Sequence, residues 1–125
     1  TYARAGHEPA LLAKAKKKGD LSIEKLHGSG MALGMVPSDL FEETIEDQTV
    51  PFETDDLLVL FTDGVTEAEN ETKEEFGIDR LCETLSSSTS SKANVFNRKL
   101  LCELDDYSSD SFERDDLTIV AVKRV

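Results

Sequence analysis

The chain has 125 residues, which is enough for one domain or part of one. Its 26 acidic side chains outnumber 14 basic ones, and the net charge of −12 argues against binding to the phosphate backbone of nucleic acids. No apolar stretch approaches the ~20 residues of a membrane-spanning helix, and the N-terminus carries no secretory signal. The sequence therefore predicts a cytoplasmic protein with no membrane or nucleic-acid partner in this chain.

The N-terminal part is predicted to form antiparallel strands. Thr1–Ala5 and Ala10–Ala13 are strand-like and are separated by a turn at Gly6–Pro9, where proline disfavours helix. Leu21–Leu26 alternates apolar and polar residues, which is the period of a half-buried strand. The lysine-rich segment that begins at Lys14 is predicted to be the solvated tip of a hairpin.

The central part holds the most informative segment. Phe41–Val50 is predicted to be a strand despite its acidic residues. Leu57–Phe61 is almost uninterruptedly apolar and too short for a convincing helix, so it predicts a strand buried on both faces. This run stops at Asp63, which is followed by Gly64. A carboxylate at the end of a buried strand is held by a rigid scaffold, and glycine allows a ligand to come close.

The C-terminal part is predicted to contain a loop, two helices and a strand. Glu67–Glu75 is polar and is predicted to be a loop over the strand end. Phe76–Leu85 has apolar residues on one helical face, and a second apolar stripe runs through Ala93–Leu104. Leu117–Val122 is the last strand. Strands followed by helices and a final strand indicate an α+β fold rather than alternating βαβ units.

The two cysteines, Cys82 and Cys102, fall in the predicted helices and lack the spacing of metal ligands. We expect both to be reduced and mostly buried thiols.

Two acidic clusters mark strand ends. Asp63 follows one apolar run, and Asp115 and Asp116 directly precede another, about 50 residues later along the chain. Such carboxylates suggest oxygen ligands that converge on a hard divalent cation. A phosphatase of the haloacid-dehalogenase type is excluded, because its aspartate nucleophile would fall on Phe61.

Five segments, in order, carry a resemblance to a known family. They read AGHEPALL from Ala5, ALG from Ala32, DLLVLFTDGVTEA from Asp56, EFG from Glu75 with RL from Arg80, and RDDLTIV from Arg114. With these segments the chain resembles the C-terminal part of the metal-dependent protein phosphatase (PPM, or PP2C-like) family. It is most similar to the bacterial branch typified by the sporulation stage II protein E phosphatase.

The resemblance implies a PP2C-like antiparallel β-sandwich flanked by helices, with its N-terminal portion missing from residues 1–125. It also implies a binuclear Mn²⁺ or Mg²⁺ centre in the complete domain, with Asp63 and Asp115 as ligands of one metal. Asp116 ranks below Asp115, because its place is often asparagine in the eukaryotic branch. His7 is an attractive acid or base, but the family places it in a turn of the scaffold.

The function implied is that of a bacterial serine/threonine protein phosphatase. Its substrate would be a phosphorylated protein, and the resemblance suggests an anti-sigma-factor antagonist. The alternative is a non-catalytic module that keeps the fold for partner binding, although Asp63 and Asp115 argue against it. The 125 residues alone are expected to be inactive. Unpaired strand edges in a partial domain favour association, for example as a homodimer.

Overall fold

The computed structural model describes residues 1–15, 21–88, 90–108 and 116–125. Its elements are β1 (Ala10–Ala15), β2 (Leu21–Leu26), α1 (Ser38–Thr44), β3 (Leu57–Phe61), α2 (Asp63–Thr66), α3 (Gly77–Ser86), α4 (Ala93–Tyr107) and β4 (Ile119–Lys123). Lys14, predicted to begin the basic hairpin tip, belongs to β1 instead, and residues 16–20 of the predicted tip lie outside the described residues. Among the helices in the described ranges, none combines the length and apolar character needed to cross a membrane.

The strands form one antiparallel sheet in the order β2-β1-β3-β4. β1 pairs with β3 so that Leu12 lies opposite Leu58, and β3 pairs with β4 so that Leu60 lies opposite Val120. β3 is therefore an inner strand with hydrogen-bonded neighbours on both sides. The α+β class and the antiparallel pairing predicted from the sequence are confirmed.

The helices α3 and α4 cover one face of this sheet. The core is made of buried apolar side chains from β1, β3, α2, α3 and α4 and from the segment that joins α2 to α3: Leu11, Ala13, Leu57, Val59, Phe61, Val65, Ala68, Phe76, Leu81, Leu85, Phe96, Leu100 and Leu104. Burial of one such leucine or phenylalanine side chain stabilises a fold by about 1.5–3 kcal/mol. This packing holds β3, and with it the segment that follows, in a fixed position.

The opposite face of the sheet is only partly covered. Leu60 is 38% exposed there, and Val120 and Val122 of β4 are 48% and 42% exposed. Leu58 borders a cavity of about 160 Å³ on this face, together with Tyr2 from the N-terminal segment. The prediction that β3 is buried on both faces was thus only half right. The second sheet that the resemblance implied is not among the described residues.

One predicted strand proved to be a helix. The first half of Phe41–Val50 belongs to α1, which begins after Pro37 at φ −56° and ends where Ile45 returns to an extended conformation. Proline is compatible with a helix start, and Asp39 in the first turn complements the helix dipole. These start signals favour a helix over the strand that was predicted.

The predicted strand at Thr1–Ala5 is also reduced to a single bridge. Tyr2 pairs with Gln48, and the two backbone N–H···O distances between them are both 2.8 Å. The bridge still brings the N-terminal segment against the residues that follow α1.

The two thiols differ in exposure, which corrects the prediction that both are mostly buried. Cys82 packs partly against the core, and burial raises the pKa of its thiol. Cys102 is exposed on α4.

Because the thiolate is the reactive form, we expect a thiol reagent at neutral pH to label Cys102 at least about tenfold faster than Cys82. A Cys102→Ser variant should lose the fast phase, and equal rates at the two sites would contradict this part of the structure.

Candidate metal-ligand site at the end of β3

Asp63 lies at the junction between β3 and α2. Phe61, the last residue of β3, is 3% exposed, and Val65 of α2 is 0% exposed, so core packing fixes the backbone on both sides of Asp63. The Asp63 side chain itself is exposed. The structure therefore places Asp63 at the end of a rigid strand, where the sequence predicted it. Its role as a metal ligand remains a prediction.

The carboxylate of Asp63 is held locally by the backbone. Its Oδ1 accepts a hydrogen bond from the Gly64 N–H at 3.0 Å. The backbone carbonyl of Asp63 accepts from Glu67 N–H at 2.8 Å and from the Thr66 hydroxyl at 3.2 Å, which closes the single turn of α2. The ion pairs found in the described ranges join other residues, and none of them includes Asp63.

This donor chemistry fits the Mn²⁺ or Mg²⁺ that the family implies. Both are hard cations that take carboxylate oxygens as ligands, and Asp63 presents such a group to solvent. Within the described residues, no group of three or more histidine, cysteine, aspartate or glutamate side chains is arranged to hold a metal. Asp115 lies outside the described residues, so its approach to Asp63 stays a prediction. Asp63 alone would therefore supply only part of the coordination of such an ion.

Thr62 links the end of β3 to the segment that enters β4. Its hydroxyl donates to the backbone carbonyl of Asp116 at 2.8 Å and accepts from the Thr118 N–H at 2.9 Å. Its own N–H donates to the Thr118 carbonyl at 3.1 Å. The two segments that carry the acidic clusters are therefore fastened side by side. The sequence analysis missed this role, although Thr62 was visible in the motif next to Asp63.

His7 lies in a bend of the N-terminal segment and is exposed. Its Nδ1 lies 3.1 Å from the Glu8 carbonyl, and its own carbonyl accepts from Arg4 at 2.6 Å. Gly6 precedes it with φ +79°, and a Cβ there would lie 2.9 Å from Ala32. These contacts are those of a tightly packed turn, as the family resemblance suggested for this position.

The predicted loop after α2 is anchored by Arg80 and Tyr107. Arg80 donates to the backbone carbonyls of Glu75 and Phe76, both at 3.0 Å, and to the Glu74 carboxylate at 2.8 Å. Its guanidinium lies 4.8 Å from the centre of the Tyr107 ring. The Tyr107 hydroxyl lies 3.1 Å from the carbonyls of Glu74 and Glu75. The loop next to Asp63 is thus fixed by helices α3 and α4.

The ion pair of Arg80 and Glu74 persists at neutral pH. The hydrogen bond from Arg80, followed by its charge, holds the pKa of Glu74 below its usual value. Because the folded-state pKa is lowered, the contact contributes above the unfolded-state pKa of glutamate and is lost as the pH falls through the folded-state value. Both side chains are exposed, so solvent screening keeps the contribution small.

An Arg80→Met variant should loosen this loop, because methionine keeps part of the apolar stem but loses every hydrogen bond. We expect amide hydrogen exchange at Asn70, Lys73 and Glu74 to accelerate by about tenfold, from the loss of hydrogen bonds to a charged group. Arg98→Met, which changes an exposed arginine on α4, is the matched control and should leave these amides unchanged. Identical exchange in both variants would show that Arg80 does not anchor the loop.

Two solved structures that share the fold of this chain are both PP2C domains. The chain superposes on the SiaA-PP2C domain of Pseudomonas aeruginosa with a TM-score of 0.69 and 21% identity, covering 93% of this chain and 43% of that one. It also superposes on the PP2C phosphatase domain, with a fragment of the regulatory domain, of SpoIIE from Bacillus subtilis, with a TM-score of 0.65 and 17% identity over 97% of this chain and 32% of that one. The fold is therefore PP2C-like.

Sequence comparison identifies the family. The family model of stage II sporulation protein E (SpoIIE) matches residues 1–125. The chain is 35% identical to protein IcfG of Synechocystis sp. and 33% identical to the phosphoserine phosphatase RsbU of Bacillus subtilis, in each case over 99% of its length. The chain belongs to the SpoIIE family. It spans 18% and 34% of the lengths of these two relatives.

Proposed function

We propose that residues 1–125 are the C-terminal portion of a single PPM-type domain that acts as a metal-dependent serine/threonine protein phosphatase. The observation that carries the proposal is Asp63: an exposed carboxylate, held between two buried residues at the end of β3, in a chain of the SpoIIE family. The name of the relative RsbU, phosphoserine phosphatase, supports the reaction. The complete domain is the whole phosphatase domain that contains this chain.

Asp63 and Asp115 would hold one of two Mn²⁺ or Mg²⁺ ions. When bound, such a pair supplies water of lowered pKa and offsets charge on the phosphoryl oxygens. The chain's own residues position this centre. The Gly64 N–H orients one carboxylate oxygen of Asp63, and α2 holds its backbone. The chain carries a net charge of −12, which repels an anionic phosphate. Bound cations would offset this repulsion.

The substrate we propose is phosphoserine or phosphothreonine on a regulatory protein in the cytoplasm. An anti-sigma-factor antagonist is the specific candidate, carried over from the family resemblance. Serine and threonine phosphates present the same dianionic group to the metals. The phosphoprotein must therefore be selected by other surfaces of the domain than the metal site at Asp63.

The proposal is tested with the complete domain and a phosphoserine protein, by measuring phosphate release with Mn²⁺ and after chelation with EDTA. We expect release only with the metal, and recovery when Mn²⁺ is added back. Binding of the phosphoprotein with no release under either condition would instead favour a non-catalytic module.

We further propose that the chain on its own associates as a homodimer. The strand β4 is at the edge of the sheet, and Val120 and Val122 on it are about half exposed. Sedimentation equilibrium of the chain should show dimers that a Val120→Lys substitution weakens. A strictly monomeric wild-type chain would refute association.

A further inference from the structure

Thr62 makes an unusual use of its hydroxyl. It occupies the N-cap position of α2, where a threonine side chain ordinarily accepts a hydrogen bond from a backbone N–H of the first turn. In this chain the side chain makes no such cap. It contacts the segment that enters the neighbouring strand β4 instead, at Asp116 and Thr118, which are 54 and 56 positions further along the chain.

The hydroxyl of Thr62 acts as donor and acceptor at once, which fixes its orientation. It donates to the Asp116 carbonyl at 2.8 Å and accepts from the Thr118 N–H at 2.9 Å. Both partners are backbone atoms, so the hydroxyl fixes the backbone of the segment before β4 relative to Thr62. Asp63 directly follows Thr62, so it is one peptide unit from one end of this link. The other end, Asp116, directly follows Asp115 in the sequence.

We propose that Thr62 is a positioning residue for the metal centre, and that its hydroxyl sets the separation between the backbone at Asp63 and the backbone at Asp116, the residue that follows the proposed ligand Asp115 in the sequence. The inference rests on the proposed function. Metal–oxygen distances vary by only about a few tenths of an ångström, and Mg²⁺ in particular tolerates little deviation from octahedral geometry. A tie between the two ligand-bearing segments therefore controls metal affinity without touching the metal.

Because this link is exposed to solvent, the hydroxyl of Thr62 can be removed without unfolding the chain. Thr118 is exposed, so water can satisfy its N–H when the Thr62 hydroxyl is lost. The backbone pairing from Thr62 N–H to the Thr118 carbonyl also remains. Removal of the hydroxyl should therefore leave the fold in place and loosen the spacing of the two segments.

The test compares Thr62→Val, Thr62→Ser and Thr44→Val in the complete domain. Valine keeps the branched shape without the hydroxyl, and serine keeps the hydroxyl. Thr44→Val is the matched control, since it removes a hydroxyl that donates only to the Phe41 carbonyl in α1. Mn²⁺ affinity is measured by titration calorimetry, the thermal midpoint by circular dichroism, and turnover as a function of Mn²⁺ concentration.

We expect Thr62→Val to weaken Mn²⁺ binding by about ten- to hundredfold, the range for groups that support metal ligands from outside the coordination sphere. Turnover should recover in part as Mn²⁺ is raised. Thr62→Ser and Thr44→Val should bind Mn²⁺ like the wild type. If Thr62→Val does not fold, Thr62→Ala replaces it as the hydroxyl-free variant.

The outcomes separate the inference from the proposed function. Wild-type affinity in a folded hydroxyl-free variant would overturn the positioning role while leaving the phosphatase proposal intact. A lowered thermal midpoint with unchanged Mn²⁺ affinity would also overturn it, because the hydroxyl would then serve stability alone. A wild-type domain that neither binds Mn²⁺ nor releases phosphate would contradict the proposed function itself.

Discussion

Replacing Asp63 by asparagine in the complete domain is expected to abolish Mn²⁺-dependent release of phosphate from a phosphoserine protein. The substitution keeps the size of the side chain and an oxygen for the Gly64 N–H, but it removes the charge that holds the cation. We expect a loss of at least about a hundredfold, because changes to groups that merely support metal ligands already reach that size. Asp115→Asn should have the same effect.

The matched control for this experiment is Asp106→Asn. Asp106 is exposed on α4, so the same charge is removed from a different element of the domain. Circular dichroism should show that all variants are folded, since Asp63 is exposed and its partners are local. Wild-type turnover in a folded Asp63→Asn variant would show that Asp63 is not a ligand of the catalytic metals.

The second large effect concerns the chain by itself. The 125 residues alone should show no phosphatase turnover, and they should bind Mn²⁺ only loosely. Within the described residues no group of three or more ligand side chains comes together, and Asp63 and Asp115 would supply only part of the coordination of one ion. A site with one or two carboxylates is expected to bind at about the millimolar level or weaker.

Titration calorimetry with Mn²⁺ and a phosphopeptide release assay, on the chain and on the complete domain in parallel, measure this difference. Tight binding of two ions by the chain, together with turnover, would show that the rest of the domain is dispensable. The catalytic centre would then lie elsewhere than at the end of β3.

Strong periodic segments allowed most of the fold to be predicted from the sequence. The short apolar run of β3 and the helical stripes of α3 and α4 encode their own conformations, because each buries one continuous apolar surface. Helix α1 was mistaken for a strand. It has no buried residue, so its apolar pattern carried little information, and the start signals at Pro37 and Asp39 had to be weighed instead.

The exposed face of β3 shows a different limit. A run of five apolar residues predicts burial on both faces, yet Leu60 is 38% exposed. An apolar strand face is suited to packing against a neighbour, and that neighbour need not be among the described residues. Exposure of Leu60 beside Val120 is therefore consistent with a chain that spans 43% of its structural neighbour, the SiaA-PP2C domain.

The candidate site was predictable only in its charged residue. Asp63 stands out because a carboxylate interrupts an apolar run. Thr62 and Arg80 act through backbone carbonyls and N–H groups that are distant in the sequence or in a loop, and such partners leave no pattern in the order of residues. Asp56 was missed for the same reason: it is 3% exposed and accepts hydrogen bonds from the N–H groups of Ala15 and Glu53.

The most direct test of the metal-site assignment is a crystal structure of the complete domain with Mn²⁺, in which the anomalous signal locates the ions. We predict an Mn²⁺ ion within about 2.0–2.6 Å of an Asp63 carboxylate oxygen and of an Asp115 oxygen, the distances of hard cations to oxygen ligands. Carboxyl groups of Asp63 and Asp115 more than about 8 Å apart could not share one ion at such distances. An occupied metal centre with that separation would contradict the assignment.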